Sequence, residues 1–162
     1  MKNQSGAFIS GNFRYSLFRV WDDSKKKVGF LMLNPSKADE VEDDNTIRKC
    51  VHFAKSWGYG SLEVINLFAY RATYPTELKS VEDPVGSLND IYIKKVVDRC
   101  DQVILAWGNR GSYLKRNEEV LKMIDPDKLY VLEMSLEGHP KHPLFLSSTL
   151  KPKPYKQKVD KF

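Results

Sequence analysis

The sequence has few of the residues and motifs that most quickly assign a chemistry. Only two cysteines occur in 162 residues, Cys50 and Cys100, and two thiols make no disulfide framework. Both fall in segments that read as helices, so reduced, buried thiols in a cytoplasmic protein are expected. No run reaches 18 apolar residues, which excludes a helical membrane span. The start, Met1-Lys-Asn-Gln-Ser-Gly, lacks the apolar core of a signal peptide. No Walker or dinucleotide glycine pattern is present, and no serine sits in a nucleophile elbow. Three histidines without an accompanying cysteine cluster give no metal site, and no cofactor is expected.

What is present is ordinary for a globular chain: 41% hydrophobic and 29% charged residues. The length suits one domain, taken as residues 1–150. The net charge of +5 is concentrated at the end, because residues 151–162 hold five lysines and one aspartate, or +4. A nearly neutral body with a basic tail favours weak, non-specific attraction to phosphate backbones. A merely solvated, partly disordered tail has the same composition.

The elements follow from periodicity. Residues 13–33 read as an antiparallel pair turning at Asp22-Asp23-Ser24, with Val28 to Leu33 returning as the first core strand. That run is apolar on both faces, as in a parallel sheet, and it stops at Asn34-Pro35-Ser36. An acidic loop follows, and Asp43 or Asp44 caps a helix from about Asn45 to Trp57, with Gly58 as the stop. Ile47, Cys50, Val51, Ala54 and Trp57 form its apolar stripe. Ser61 to Phe68 is a second buried strand containing Asn66. Ser87-Leu-Asn-Asp90 resembles a capping box opening a helix to Arg99. Asp101 to Trp107 is a third strand, closed by Gly108-Asn109. A helix from Ser112 to Ile124, a short strand from Lys128 to Leu132 and a brief extended segment at Leu144–Leu146 complete the order. Strands alternating with helices predict a mostly parallel sheet in a three-layer α/β/α sandwich, with an N-terminal β-hairpin.

In such a sheet, ligands gather outside the carboxyl ends of the strands. Asn34, Asn66 and Asn109 stand at three of those ends, and an asparagine offers the acceptor and donors that read an amide-like edge. Each also serves equally as a turn or loop cap. His139 and His142 share a proline-bounded loop, where a histidine can donate to an anion developing on a ligand carbonyl. The acidic run Asp39 to Asp44 reads as a solvated, helix-capping loop.

With these segments placed, the chain resembles, over nearly its whole length, a bacterial and phage family known as domain-of-unknown-function family 1643. Tyr15-Ser-Leu-Phe-Arg-Val-Trp, Phe30-Leu-Met-Leu-Asn-Pro-Ser-Lys-Ala-Asp, Phe53-Ala-Lys-Ser-Trp-Gly-Tyr-Gly, Val64-Ile-Asn-Leu-Phe-Ala-Tyr-Arg-Ala and Ala106-Trp-Gly-Asn carry that likeness. More distantly, four ordered motifs are similar to those of the uracil-DNA glycosylase superfamily, its mismatch-specific branch above all. These are Leu33-Asn-Pro-Ser36, Val64-Ile-Asn-Leu67, Leu105-Ala-Trp-Gly-Asn109 and His142-Pro-Leu-Phe-Leu-Ser147.

The second likeness implies that fold and a set of roles. Asn34 would position a water against the anomeric carbon, and Asn66 would read a flipped base beside Pro35 and Ser36. His142 would stabilise the departing base anion, with Asn109, His139 and Pro143 on loops near the site. Ser36 stands where strict uracil enzymes carry a tyrosine that blocks a 5-substituent, so a 5-modified pyrimidine fits better. Leu144-Phe145 replaces the Ser-Pro of the minor-groove loop. Asn34, unlike aspartate, orients water but hardly deprotonates it. The expectation is a nucleobase-processing hydrolase of the DNA glycosylase type, acting on nucleic acid or a nucleotide. A non-catalytic base-binding module in the same cleft and an interaction protein that keeps only the fold are the alternatives.

Overall fold

The computed structural model describes residues 3–156 of the chain. It opens with two antiparallel strands, β1 (Gln4–Ser10) and β2 (Phe13–Val20). They are joined through Gly11-Asn12, with Gly11 at φ +57°, a two-residue turn that needs the left-handed conformation. This is the N-terminal hairpin, and it is not the pair expected at 13–33. The next strand, β3 (Lys27–Met32), does not pair with β2. Instead β4 (Ser61–Asn66) lies between them, antiparallel to β2 at Leu17↔Val64 and parallel to β3 at Phe30↔Val64.

The cause is local. The connection 21–26 is too long for a tight turn, and it crosses the start of β4. There Trp21 and Asp22 both donate to Gly60 O at 3.0 Å. A Cβ on Gly60 would collide with the Asp22 carbonyl, so only glycine lets the crossing pass this close.

The remaining strands are β5 (Gln102–Leu105), β6 (Leu129–Val131) and β7 (Lys153–Pro154). The sheet order is β1-β2-β4-β3-β5-β6-β7. The four central strands β4-β3-β5-β6 are parallel and the flanking pairings are antiparallel. The parallel pairing expected of most of the sheet holds at its centre, in three of the six pairings. β7 brings part of the basic tail into the fold, and Trp57 Nε1 donates to Leu150 O at 3.0 Å. Residues 157–162 of that tail lie outside the described residues.

Side chains of the central strands alternate between two cores. Val28, Phe30, Met32, Leu62, Val64 and Ile104 pack with Ile47, Cys50, Phe53 and Ala54 of helix α1 (Asn45–Ser56). Leu31, Ile65, Val103 and Leu105 pack with Ile93, Val96 and Val97 of α2 (Asn89–Arg99) and Val120 of α3 (Arg116–Leu121). Phe30 and Phe53 are fully buried, each contributing about 1.5–3 kcal/mol of transfer free energy.

Helix α1 starts on Asp44, whose carboxylate accepts from Ile47 N at 2.9 Å. It stops at Gly58, with φ +85°. Three other expectations are corrected. The capping box at Ser87 does not form: Leu88 is the cap residue without a side-chain bond, and Asn89 is fully buried. The Asn89 amide instead donates to Asn66 O and Leu67 O at 2.9 and 3.0 Å, so the core takes the side chain. The helix expected over 112–124 is cut to α3, because Leu114 and Lys115 both adopt φ +54° and end the preceding 3-10 turns. Pro143–Phe145 is a 3-10 turn rather than an extended segment. Its start is Pro143, whose fixed φ suits a first helical position.

Candidate functional site

The parallel strands end on one edge of the sheet, and a cleft of about 570 Å³ opens there. Its walls come from the loop after β3 (Asn34 to Lys37), the first turn of α1 (Asp44 to Ile47), the segment after β5 (Trp107 to Arg110), Arg14 and His142. Pro35 cannot extend the ladder, and the chain turns away there. The turn is stitched by Ala72 N donating to Pro35 O at 2.9 Å. Gly108, at φ +75°, swings the third segment outward, and its N–H donates to Pro140 O at 2.8 Å.

Asn34 and His142 face this shared space with opposite capacities. The Asn34 amide nitrogen donates to Pro35 O at 3.0 Å and Ala72 O at 2.9 Å. Two carbonyl partners fix the amide orientation, so Oδ1 is the atom left to the cleft, an acceptor. His142 Nδ1 accepts from Leu144 N at 3.2 Å. In the neutral ring the proton is therefore on Nε2, a donor. Burial pushes the imidazole below its ordinary pKa of 6.5, with Asp44 opposing the shift, so the ring is neutral at pH 7.

The rim is held by three arginines that sequence reasoning passed over. Arg14 Nη1 donates to Ala38 O at 3.0 Å. Arg19 donates to the Asp43 carboxylate at 2.8 Å and to Asp39 O at 2.6 Å, and Arg71 donates to Ser36 O and Lys37 O at 3.2 Å each. The loop 36–44 is thus clamped through its carbonyls. Its aspartates are engaged locally: Asp39 accepts from Val41 N and Glu42 N, Asp43 pairs with Arg19, and Asp44 caps α1, while Glu40 and Glu42 are exposed. Among the described residues no group of three or more His, Cys, Asp or Glu side chains is arranged to hold a metal ion. No helix there is long and apolar enough to cross a membrane.

Of the residues singled out from sequence, Asn34, Pro35, Ser36, Asn109 and His142 line the cleft. Asn109 Oδ1 accepts from Ser135 Oγ at 2.6 Å. The other three stand apart. Asn66 ends β4 beside Met32 but is buried, 2% exposed, and neither atom of its amide has a partner. His139 joins the neighbouring loop through its backbone, its N–H donating to Ser135 Oγ and its carbonyl accepting from Ser135 N. Pro143 is buried at the start of its turn. The cleft's further members include Arg14, Lys37, Asp44, Trp107 and Arg110. Arg14 alternates with Phe13 and Tyr15 along β2, a strand pattern that gives no sign in the sequence that its side chain is buried.

These features define an α/β protein with a cleft at the carboxyl edge of its parallel strands. The chain matches the family described as "Protein of unknown function (DUF1643)" over residues 14–144, and it belongs to that family. No curated protein and no solved structure matches it.

Proposed function

We propose that the chain is a nucleobase-processing protein that hydrolyses the N-glycosidic bond of a uracil-like or 5-modified pyrimidine. The observation that carries this reading is that Asn34 and His142 line one cleft, an acceptor and a neutral donor. Asn34 Oδ1 orients a water toward the anomeric carbon. The carbon–nitrogen bond breaks, its electron pair leaves with the base, and His142 Nε2–H stabilises the resulting anion. Asp44, the one carboxylate lining the cleft, takes the proton that the water loses. The fold reading that accompanies this is a three-layer α/β/α sandwich of the uracil-DNA glycosylase type. It is supported by the placement of α1 in one core and of α2 and α3 in the other.

The test is incubation with duplexes carrying uracil, mismatched thymine or a 5-substituted pyrimidine, followed by cleavage at abasic sites. Strand breaks that disappear in both Asn34→Ala and His142→Ala are expected. No base release from any of the duplexes or from 2′-deoxyuridine 5′-monophosphate overturns the reading.

A second reading, a base-binding module that does not cut, is favoured by Asn34, whose amide offers the cleft a hydrogen-bond acceptor but no base to deprotonate water. A nucleotide found by mass spectrometry on the purified protein, in the absence of base release, would establish it.

A further inference from the structure

We propose that the cleft receives a terminal oxyanion of its ligand, a phosphomonoester or a carboxylate, between the guanidinium of Arg14 and the first turn of α1. This rests on the nucleobase reading and narrows its substrate class. Arg14 is 2% exposed and lines the cleft. Only one of its nitrogens is bonded, Nη1 to Ala38 O, and Nε is buried with no partner. Arg19 and Arg71 are spent on the loop, and Arg19 also has the Asp43 carboxylate. Among the described residues no carboxylate forms an ion pair with Arg14; Asp44 is near enough only to offset its burial in part. Burying a charge without an ion-pair partner costs several kcal/mol, and desolvation, with Asp44 opposing it, pushes this guanidinium down to about 10. It is still a cation at pH 7, and an anionic ligand is what would neutralise it.

The second element is α1, a 12-residue helix whose first turn forms a wall of the same cleft. Asp44 takes Ile47 N, while the N–H groups of Asn45 and Thr46 have no partner among the described residues. Free N–H groups and the helix dipole favour negative charge there. Lys37 and Arg110 add positive charge to the walls, and the Asp44 carboxylate opposes it. The depth of Arg14 sets the kind of anion: a phosphodiester has chain on both sides and stays at the surface, whereas a terminal group reaches a buried guanidinium.

Calorimetric titration of the full chain at low salt tests this with two matched pairs, 2′-deoxyuridine 5′-monophosphate against 2′-deoxyuridine and 5-carboxyuracil against uracil. At least one charged member is expected to bind about tenfold or more tightly than its neutral partner. The pair that shows the ratio tells phosphate from carboxylate. Arg14→Gln should bring the ratio to about one. Asp44→Asn, which keeps a cap-competent side chain, should widen it several-fold. A ratio near one in both pairs, no binding of any of the four probes, or a ratio unchanged in Arg14→Gln overturns the proposal. If Arg14→Gln does not fold, Asp44→Asn decides, and a ratio it leaves unchanged overturns the proposal. The outcome is separable from hydrolysis. Charge discrimination without base release removes only the glycosylase reading, and base release without discrimination removes only the oxyanion site.

Discussion

Replacing Asn34 by aspartate, the residue that would supply a stronger base, should damage the protein rather than improve it. The wild-type amide nitrogen donates to two carbonyls, Pro35 O at 3.0 Å and Ala72 O at 2.9 Å. Asn34→Ala removes both bonds, and at about 0.5–1.5 kcal/mol each the loss is about 1–3 kcal/mol. Asn34→Asp removes them and also turns carboxylate oxygens toward the two carbonyls in a half-buried position. The added desolvation and repulsion bring the loss to about 2–4 kcal/mol at pH 7. With a urea slope of about 2 kcal/mol/M, the unfolding midpoint drops by about 1–2 M, more than for Asn34→Ala.

The sign of the pH dependence is a second check. A protonated carboxyl can donate one of the lost bonds, so folding raises its pKa above the unfolded value of about 3.9. The folded state then holds the proton more tightly, and the variant's deficit is smallest below the unfolded pKa. It grows as pH rises through the folded one. Urea unfolding followed by circular dichroism at pH 4 and pH 7, for wild type and both variants, measures this. An Asn34→Asp protein as stable as wild type at pH 7, or a deficit that does not shrink at pH 4, would refute the argument.

Other expectations follow from single contacts. Gly111→Ala places a Cβ against the Trp107 indole, which lines the cleft; the ring must move, and a changed near-ultraviolet circular dichroism spectrum with weakened ligand binding is expected. Asp44→Ala loses the α1 cap and should cost about 1 kcal/mol by urea unfolding, whereas Asp44→Asn should be within a few tenths of wild type. Burial pushes the Cys50 thiol far up and the Cys100 thiol up to about 12. At pH 8 the native protein should therefore leave a thiol reagent unreacted, and both cysteines should react once it is denatured. Rapid native reaction of either would contradict their burial.

Much of the architecture is written in local pattern. The apolar runs of β3, β4 and β5 state their burial on both faces, and Asp44 and Gly58 mark the ends of α1 by side-chain chemistry that needs no distant partner. The polar residues after β3 and β5 also announce a carboxyl edge, since strand polarity follows from the alternation with helices. Three things were settled by tertiary structure alone. Which strand lies beside β2 depends on Gly60 letting the connection 21–26 cross over β4, a contact between residues far apart in sequence. Whether Asn89 caps a helix or fills the core depends on the carbonyls of Asn66 and Leu67 lying within its reach. Arg14, Arg19 and Arg71 look alike as letters. Arg19 has a carboxylate, Arg71 has two carbonyls, and Arg14 is left with one carbonyl in a buried wall of the cleft. Charge on a side chain is a property of the residue; whether a carboxylate pairs with it is a property of the fold.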